Sequence, residues 1–79
     1  MRTPIKMPNL GTEATTGRII GWLRGVGDTV AAGDVVAEVE TEKALVELEA
    51  PATGTIVEIT QPKGADVPVG EVLAVIEHD

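Results

Sequence analysis

The sequence predicts an all-β domain, a flattened barrel or sandwich of two small antiparallel sheets related by internal pseudo-two-fold symmetry. Three observations predict it. The hydrophobic fraction of 43% is carried by Val, Ile, Ala and Leu, with Trp22 the only aromatic residue, and branched side chains pack well on a pleated surface. Nine glycines and five prolines cut the 79 residues into short segments, as turns between short strands require. Finally, sliding the chain by about 37 positions aligns two halves without a gap, a self-match that organises a fold before any motif does.

The repeat is dense. Gly17-Arg18-Ile19-Ile20 falls on Gly54-Thr55-Ile56-Val57, Gly27 on Gly64, Val30 on Val67 and Gly33 on Gly70. Val35-Val36-Ala37 falls on Val72-Leu73-Ala74, and Val39-Glu40 on Ile76-Glu77. One domain spanning residues 1–79 is expected, with a core of about 5–77 and halves of about 17–40 and 54–77.

Taken in order, Ile5–Met7 is a first short strand and Asn9–Thr16 a loop. Arg18–Leu23 is the next strand, and Gly25-Val26-Gly27-Asp28 supplies turn chemistry. Thr29-Val30 is short and extended, Gly33-Asp34 is a tight turn signal, and Val35–Glu40 is a strand. Ala44–Glu49 alternates Val46 and Leu48 with Glu47 and Glu49, the period of a strand with one wet face. The second half repeats the plan, with turns at Pro62-Lys63-Gly64-Ala65 and near Val69-Gly70. Because Thr41-Glu42 maps onto His78-Asp79, a two-fold axis would put Lys43 and the C-terminus at opposite poles.

Composition narrows the function. The net charge of −7 offers no basic patch for nucleic acid or anionic membranes. No apolar run approaches the roughly 20 residues of a membrane span, and Met1–Pro8 lacks a signal-peptide core; a soluble cytoplasmic domain is the expectation. The chain has no cysteine and only one histidine, His78, so disulfides, thiolate metal sites and imidazole-based zinc centres are excluded. The composition suits catalysis poorly. Glu38, Glu40, Glu47 and Glu49 could pair as acid and base, but on alternating strand positions they form a solvated face. His78 reads as a solvated residue at a frayed end, and Trp22 as a packing residue.

Between Val35–Glu40 and Ala44–Glu49, the polar residues Thr41, Glu42 and Lys43 make a tight turn. It contains neither Gly nor Asn, so a type I turn is expected rather than a primed type. A lysine on a hairpin tip is ordinarily a surface residue. Here it lies between the two halves of a repeat, in a distinctive setting.

Glu40-Thr41-Glu42-Lys43-Ala44 closely resembles the lipoyl attachment motif: an acidic residue, the modified lysine and a small residue. Met7-Pro8-Asn9-Leu10-Gly11 followed by Gly17, then Gly27-Asp28-Thr29-Val30, Gly33-Asp34 and Glu38-Val39-Glu40, resemble the same family's first half. Pro51-Ala52-Thr53-Gly54 and Gly64-Ala65-Asp66-Val67-Pro68-Val69-Gly70 resemble its second. The resemblance runs from about Ile5 to Glu77 and is to lipoyl domains of the biotin/lipoyl-attachment family, a barrel-sandwich hybrid fold.

What the resemblance implies is a non-catalytic carrier. A lipoate ligase or lipoyl transferase would join lipoate covalently to Lys43, with Glu42 and Ala44 flanking it for recognition. The arm would then swing between a thiamine-diphosphate-dependent enzyme, an acyltransferase core and dihydrolipoamide dehydrogenase of a 2-oxoacid or acetoin-type complex, the cofactor supplying the chemistry. Tethering replaces diffusion by a high effective concentration. The parent chain would be a dihydrolipoyllysine-residue acyltransferase, and the isolated domain a monomer. In related domains the loop after the first strand guides the thiamine enzyme; here it is Asn9–Thr16, with Thr16 where an acidic residue is frequent. The rival is a biotin carrier domain of a carboxylase, whose motif places methionine on both sides of the lysine, where this chain has Glu42 and Ala44. The carrier of glycine cleavage is longer, and an unmodified interaction domain has no residue in its favour.

Overall fold

The computed structural model describes residues 1–9, 15–42 and 44–78. Among them are eight strands and no helix: β1 (Arg2–Lys6), β2 (Thr16–Trp22), β3 (Thr29–Val30), β4 (Val35–Glu40), β5 (Leu45–Glu49), β6 (Gly54–Ile59), β7 (Asp66–Pro68) and β8 (Val72–Glu77). They form two antiparallel four-stranded sheets, ordered β1-β8-β6-β3 and β5-β4-β2-β7. The sheets do not close on each other, so the flattened sandwich is the form realised and not a barrel.

Each sheet borrows a strand. The first half's β3 pairs with β6, and the second half's β7 pairs with β2. Exchanging β1 with β5, β8 with β4, β6 with β2 and β3 with β7 turns one sheet order into the other, which is the two-fold relation expressed in hydrogen bonds. The bonds that seat the crossover turns obey it too. The Gly27 amide donates to the Ile56 carbonyl at 2.7 Å, and its counterpart Gly64 donates to Ile19 at 2.7 Å. Both glycines hold φ above +90° (95° and 91°), a region closed to most side chains, so the crossovers into β3 and β7 depend on them.

The core is doubled in the same way. Ile5, Met7, Ile19, Val30, Val36, Ala37 and Val39 are buried, and so are their counterparts Leu48, Ala50, Ile56, Val67, Leu73, Ala74 and Ile76. No polar side chain is buried among the described residues. Apolar burial is the main term favouring the fold. Gly54 is required by contact: a Cβ there would collide with the Glu77 carbonyl oxygen and come within 2.7 Å of Ile76 Cγ2.

Two expectations need correction. The first strand begins at Arg2, not Ile5, because β1 pairs along β8 from Arg2↔Glu77. His78 is not frayed. Its amide donates to the Met1 carbonyl at 2.8 Å, its carbonyl accepts from the Met1 ammonium at 2.7 Å, and its Nε2 lies 2.6 Å from Thr3 Oγ1. Pairing with the chain start, far away in sequence, orders the residue.

Trp22 packs against the core while its Nε1 donates to the Gln61 carbonyl at 2.9 Å. That bond ties the end of β2 farthest from the 41–44 turn to the end of β6 farthest from the paired chain ends. The turn and the Met1–His78 pair therefore lie at opposite poles.

Candidate functional site

The site is the 41–44 turn and the surface beside it. Its two supporting strands are anchored in the core, since Val39 is fully buried, Leu48 is buried and Val46 packs against the cluster. Glu40↔Leu45, Val39↔Val46 and Glu38↔Glu47 are in register, so the hairpin is regular up to the turn.

Thr41 and Ala44 clasp the turn. The Thr41 amide donates to the Ala44 carbonyl at 2.8 Å, and the Ala44 amide donates to Thr41 Oγ1 at 3.1 Å. The same hydroxyl lies 3.4 Å from the Ala44 carbonyl oxygen, a weak donor contact. Glu42 is exposed and has no positive φ, which rules out the primed turn types and fits the unprimed type expected from the sequence. Lys43 lies outside the described residues; its neighbours Glu42 and Ala44 place the two chain ends that enter and leave it.

Beside the turn is a shallow cleft of about 250 Å³ lined by Thr16, Arg18, Glu40, Thr41, Glu42 and Asp66. Ladder register makes it: Arg18 sits between Glu40 on β4 and Asp66 on β7, and its Nε donates to Asp66 Oδ1 at 3.2 Å. Of the expected recognition loop Asn9–Thr16, residues 10–14 lie outside the described residues. Its end does not: the Thr15 carbonyl accepts from the Val69 amide at 2.9 Å, and Thr16 reaches the cleft. The position where the resemblance implies an acidic residue is thus brought beside the turn as Thr16.

Sequence reasoning named Glu42 and Ala44 but missed Arg18, Asp66 and the clasp made by Thr41. A signal was present in the repeat. Arg18 and Asp66 correspond to Thr55 and Thr29, so the two halves differ at these positions although the fold treats them alike. Glu38 and Glu40 on β4, and Glu47 and Glu49 on β5, fall on the outer face, with Glu40, Glu47 and Glu49 exposed. Glu38 and Glu47 stand directly opposite, a like-charge pair that costs stability. Leu45, next to the clasp, is 60% exposed on an edge strand.

Comparison with known proteins sorts this geometry. The Biotin_lipoyl family model, described as "Biotin-requiring enzyme", matches residues 3–76. The chain is 43% identical over 77 residues to a dihydrolipoyllysine-residue acetyltransferase component of the pyruvate dehydrogenase complex of Zymomonas mobilis, covering 96% of this chain and 18% of that protein. It is 41% identical over 78 residues to a dihydrolipoyllysine-residue succinyltransferase component of the 2-oxoglutarate dehydrogenase complex of Rickettsia conorii, covering 99% and 20%. The chain therefore spans about a fifth of the length of these relatives. Among solved structures, the lipoyl domain of the 2-oxoglutarate dehydrogenase complex of Azotobacter vinelandii matches with a TM-score of 0.77 and 29% identity over 95% of both chains. The urea carboxylase of Kluyveromyces lactis matches with a TM-score of 0.82 and 28% identity, over 98% of this chain and 6% of that one. The backbone is shared by both, while sequence identity draws the chain to the acyltransferase components. It belongs to the biotin/lipoyl-attachment family, as a lipoyl domain of the kind found in dihydrolipoyllysine-residue acyltransferases.

Proposed function

We propose that Lys43 receives lipoate through an amide on its ε-amine, and that the domain carries the arm for a 2-oxoacid dehydrogenase complex. The observation that carries the reading is the clasped turn Thr41–Ala44, held by two core-anchored strands at the pole opposite the chain ends. A tether at one pole and an arm at the other leave the modified end unobstructed. The amine must enter the cleft of a modifying enzyme, and exposed Glu42 on one side with half-buried Ala44 on the other suits such an approach.

In the attachment step the Lys43 amine attacks an activated lipoyl carboxyl; the activating group leaves, and the amine loses a proton. Bound lipoate supplies a redox-active dithiolane that accepts acyl groups and electrons. The chain's own residues present that group, and the acidic surface around Glu40, Glu42 and Asp66 steers partners. The partners proposed are a lipoate ligase, a thiamine-diphosphate-dependent enzyme, the acyltransferase core of the parent chain and dihydrolipoamide dehydrogenase, all in the cytoplasm, with the isolated domain monomeric.

A biotin carrier is the second reading, favoured by the backbone match to a urea carboxylase. Against it stand Glu42 and Ala44 where that motif has methionines, and the 41–43% identity to acyltransferase components. Intact mass decides between them. The chain is incubated with lipoate ligase, lipoate and ATP, in parallel with biotin ligase and biotin, and with a Lys43→Arg control. One lipoyl increment that disappears in the control is expected. A biotin increment would transfer the domain to the carboxylases, and no increment from either would end the carrier reading.

A further inference from the structure

The two poles are fold equivalents, so each serves as a control for the other. Thr41 corresponds to His78 in the repeat, and Ala44 immediately precedes β5 as Met1 immediately precedes β1. At the chain ends the rung is closed by two main-chain carbonyls: His78 N donates to Met1 O at 2.8 Å, and Met1 N donates to His78 O at 2.7 Å. At the turn the first bond is reproduced, with Thr41 N donating to Ala44 O at 2.8 Å. The second differs. Ala44 N donates at 3.1 Å to the Thr41 hydroxyl, so a side chain takes the acceptor role that a carbonyl fills at the other pole.

We propose that Thr41 is the positioning residue of the carrier lysine, its hydroxyl holding the Ala44 amide so that the turn meets the modifying enzyme preformed. This rests on Lys43 being the attachment site. The branched side chain has few χ1 choices, so a hydroxyl bonded to Ala44 fixes main chain on both sides of residues 42 and 43. The contact is half-buried, which shields it from exchange with water. A preformed turn spares the ligase the cost of selecting a minor conformer, and that cost enters as weaker apparent affinity with unchanged chemistry. The effect therefore belongs in KM rather than kcat.

The test compares wild type, Thr41→Val and Thr41→Ser as substrates of a lipoate ligase with lipoate and ATP, with amide exchange at Ala44 measured on the unmodified proteins. Valine keeps the branched shape and removes the acceptor; serine keeps the acceptor. Loss of one hydrogen bond of ordinary net strength corresponds to about fivefold. Thr41→Val is expected to raise KM for the domain about fivefold with kcat within about twofold of wild type, and to speed exchange at Ala44 by a similar factor. Thr41→Ser is expected to stay within about twofold of wild type on both measures. Should Thr41→Val fail to fold, Thr41→Ala replaces it with the same expectation. A hydroxyl-free variant with wild-type KM overturns the inference while leaving Lys43 as the site. So does a serine variant as impaired as the valine one. A wild-type chain that takes no lipoyl group at Lys43 overturns the carrier reading, and this inference with it.

Discussion

Arg18 and Asp66 face each other across the β2–β7 ladder, Nε to Oδ1 at 3.2 Å, while the positions equivalent to them by the repeat hold Thr55 and Thr29. The second pair also meets across a ladder, Thr29↔Thr55 between β3 and β6. One backbone arrangement thus carries an ion pair beside the turn and two threonines at the other pole. The same ladder forms at the other pole without an ion pair.

The double variant Arg18→Thr, Asp66→Thr is accordingly expected to cost little stability. Both side chains are more than half exposed, and exposed pairs are worth roughly 0–1 kcal/mol after solvent screening. For a domain of this size that is a fall in Tm of no more than about 8 °C. Thermal unfolding followed by Trp22 fluorescence checks it, and a larger fall would mean that the pair supports the fold.

The crossover glycines should behave differently. A Cβ at Gly27 or Gly64 meets nothing within 4 Å, so the cost of alanine there is conformational alone. Holding alanine at φ near +90° costs about 1–2 kcal/mol. Gly54→Ala fails for the opposite reason: its φ is not positive, but the added methyl meets the Glu77 carbonyl and Ile76, and overpacking of this kind costs roughly 1–3 kcal/mol. Asparagine, which tolerates positive φ better than alanine, should recover part of the loss at Gly64 and none at Gly54. Urea unfolding of the five variants separates the two mechanisms.

Much of this arrangement is legible in the sequence because the repeat is legible. Ile19/Ile56, Val36/Leu73 and Val39/Ile76 are buried as matched pairs, and hydrophobic periodicity in six- and seven-residue strands suffices to find them. The exchange of β3 and β7 between sheets is not legible. Thr29-Val30 is two residues long and carries no period, and its partner strand is chosen by the Gly27 crossover bond to Ile56. The order at His78 is hidden for a similar reason, since it depends on Met1 at the other end of the chain. At the site, Lys43 stands out by its place between the two halves of the repeat and by resemblance to a family motif. The Thr41 clasp is invisible because a threonine hydroxyl bonded within a turn and one pointing to water are spelled alike.

Trp22 offers a test of how the two sheets are joined. Its indole nitrogen donates to Gln61 at 2.9 Å, and its ring packs on the core. Trp22→Phe removes the donor and part of the apolar area. A net hydrogen bond of about 1 kcal/mol plus the lost burial gives an expected destabilisation of roughly 1–3 kcal/mol. The variant loses the chain's only tryptophan, so urea unfolding followed by far-UV circular dichroism is the suitable readout. An unchanged midpoint would show that the bond is not holding the sheets together.

The position of the lysine within the turn should matter more than the local charge. Glu42→Lys combined with Lys43→Glu keeps composition, net charge and turn length while moving the amine one residue toward β4. A type I turn sends its two central side chains in different directions, and the clasp between Thr41 and Ala44 ties the residues on either side of them. A modifying enzyme that reads the turn as a rigid shape then meets a carboxylate where it needs an amine. The double variant is expected to fold with a Tm within a few degrees of wild type, about the scatter of surface substitutions, and to gain no lipoyl increment in intact-mass measurements. Efficient labelling of Lys at position 42 would show instead that the enzyme accepts any amine near the tip, and that the clasp sets no position.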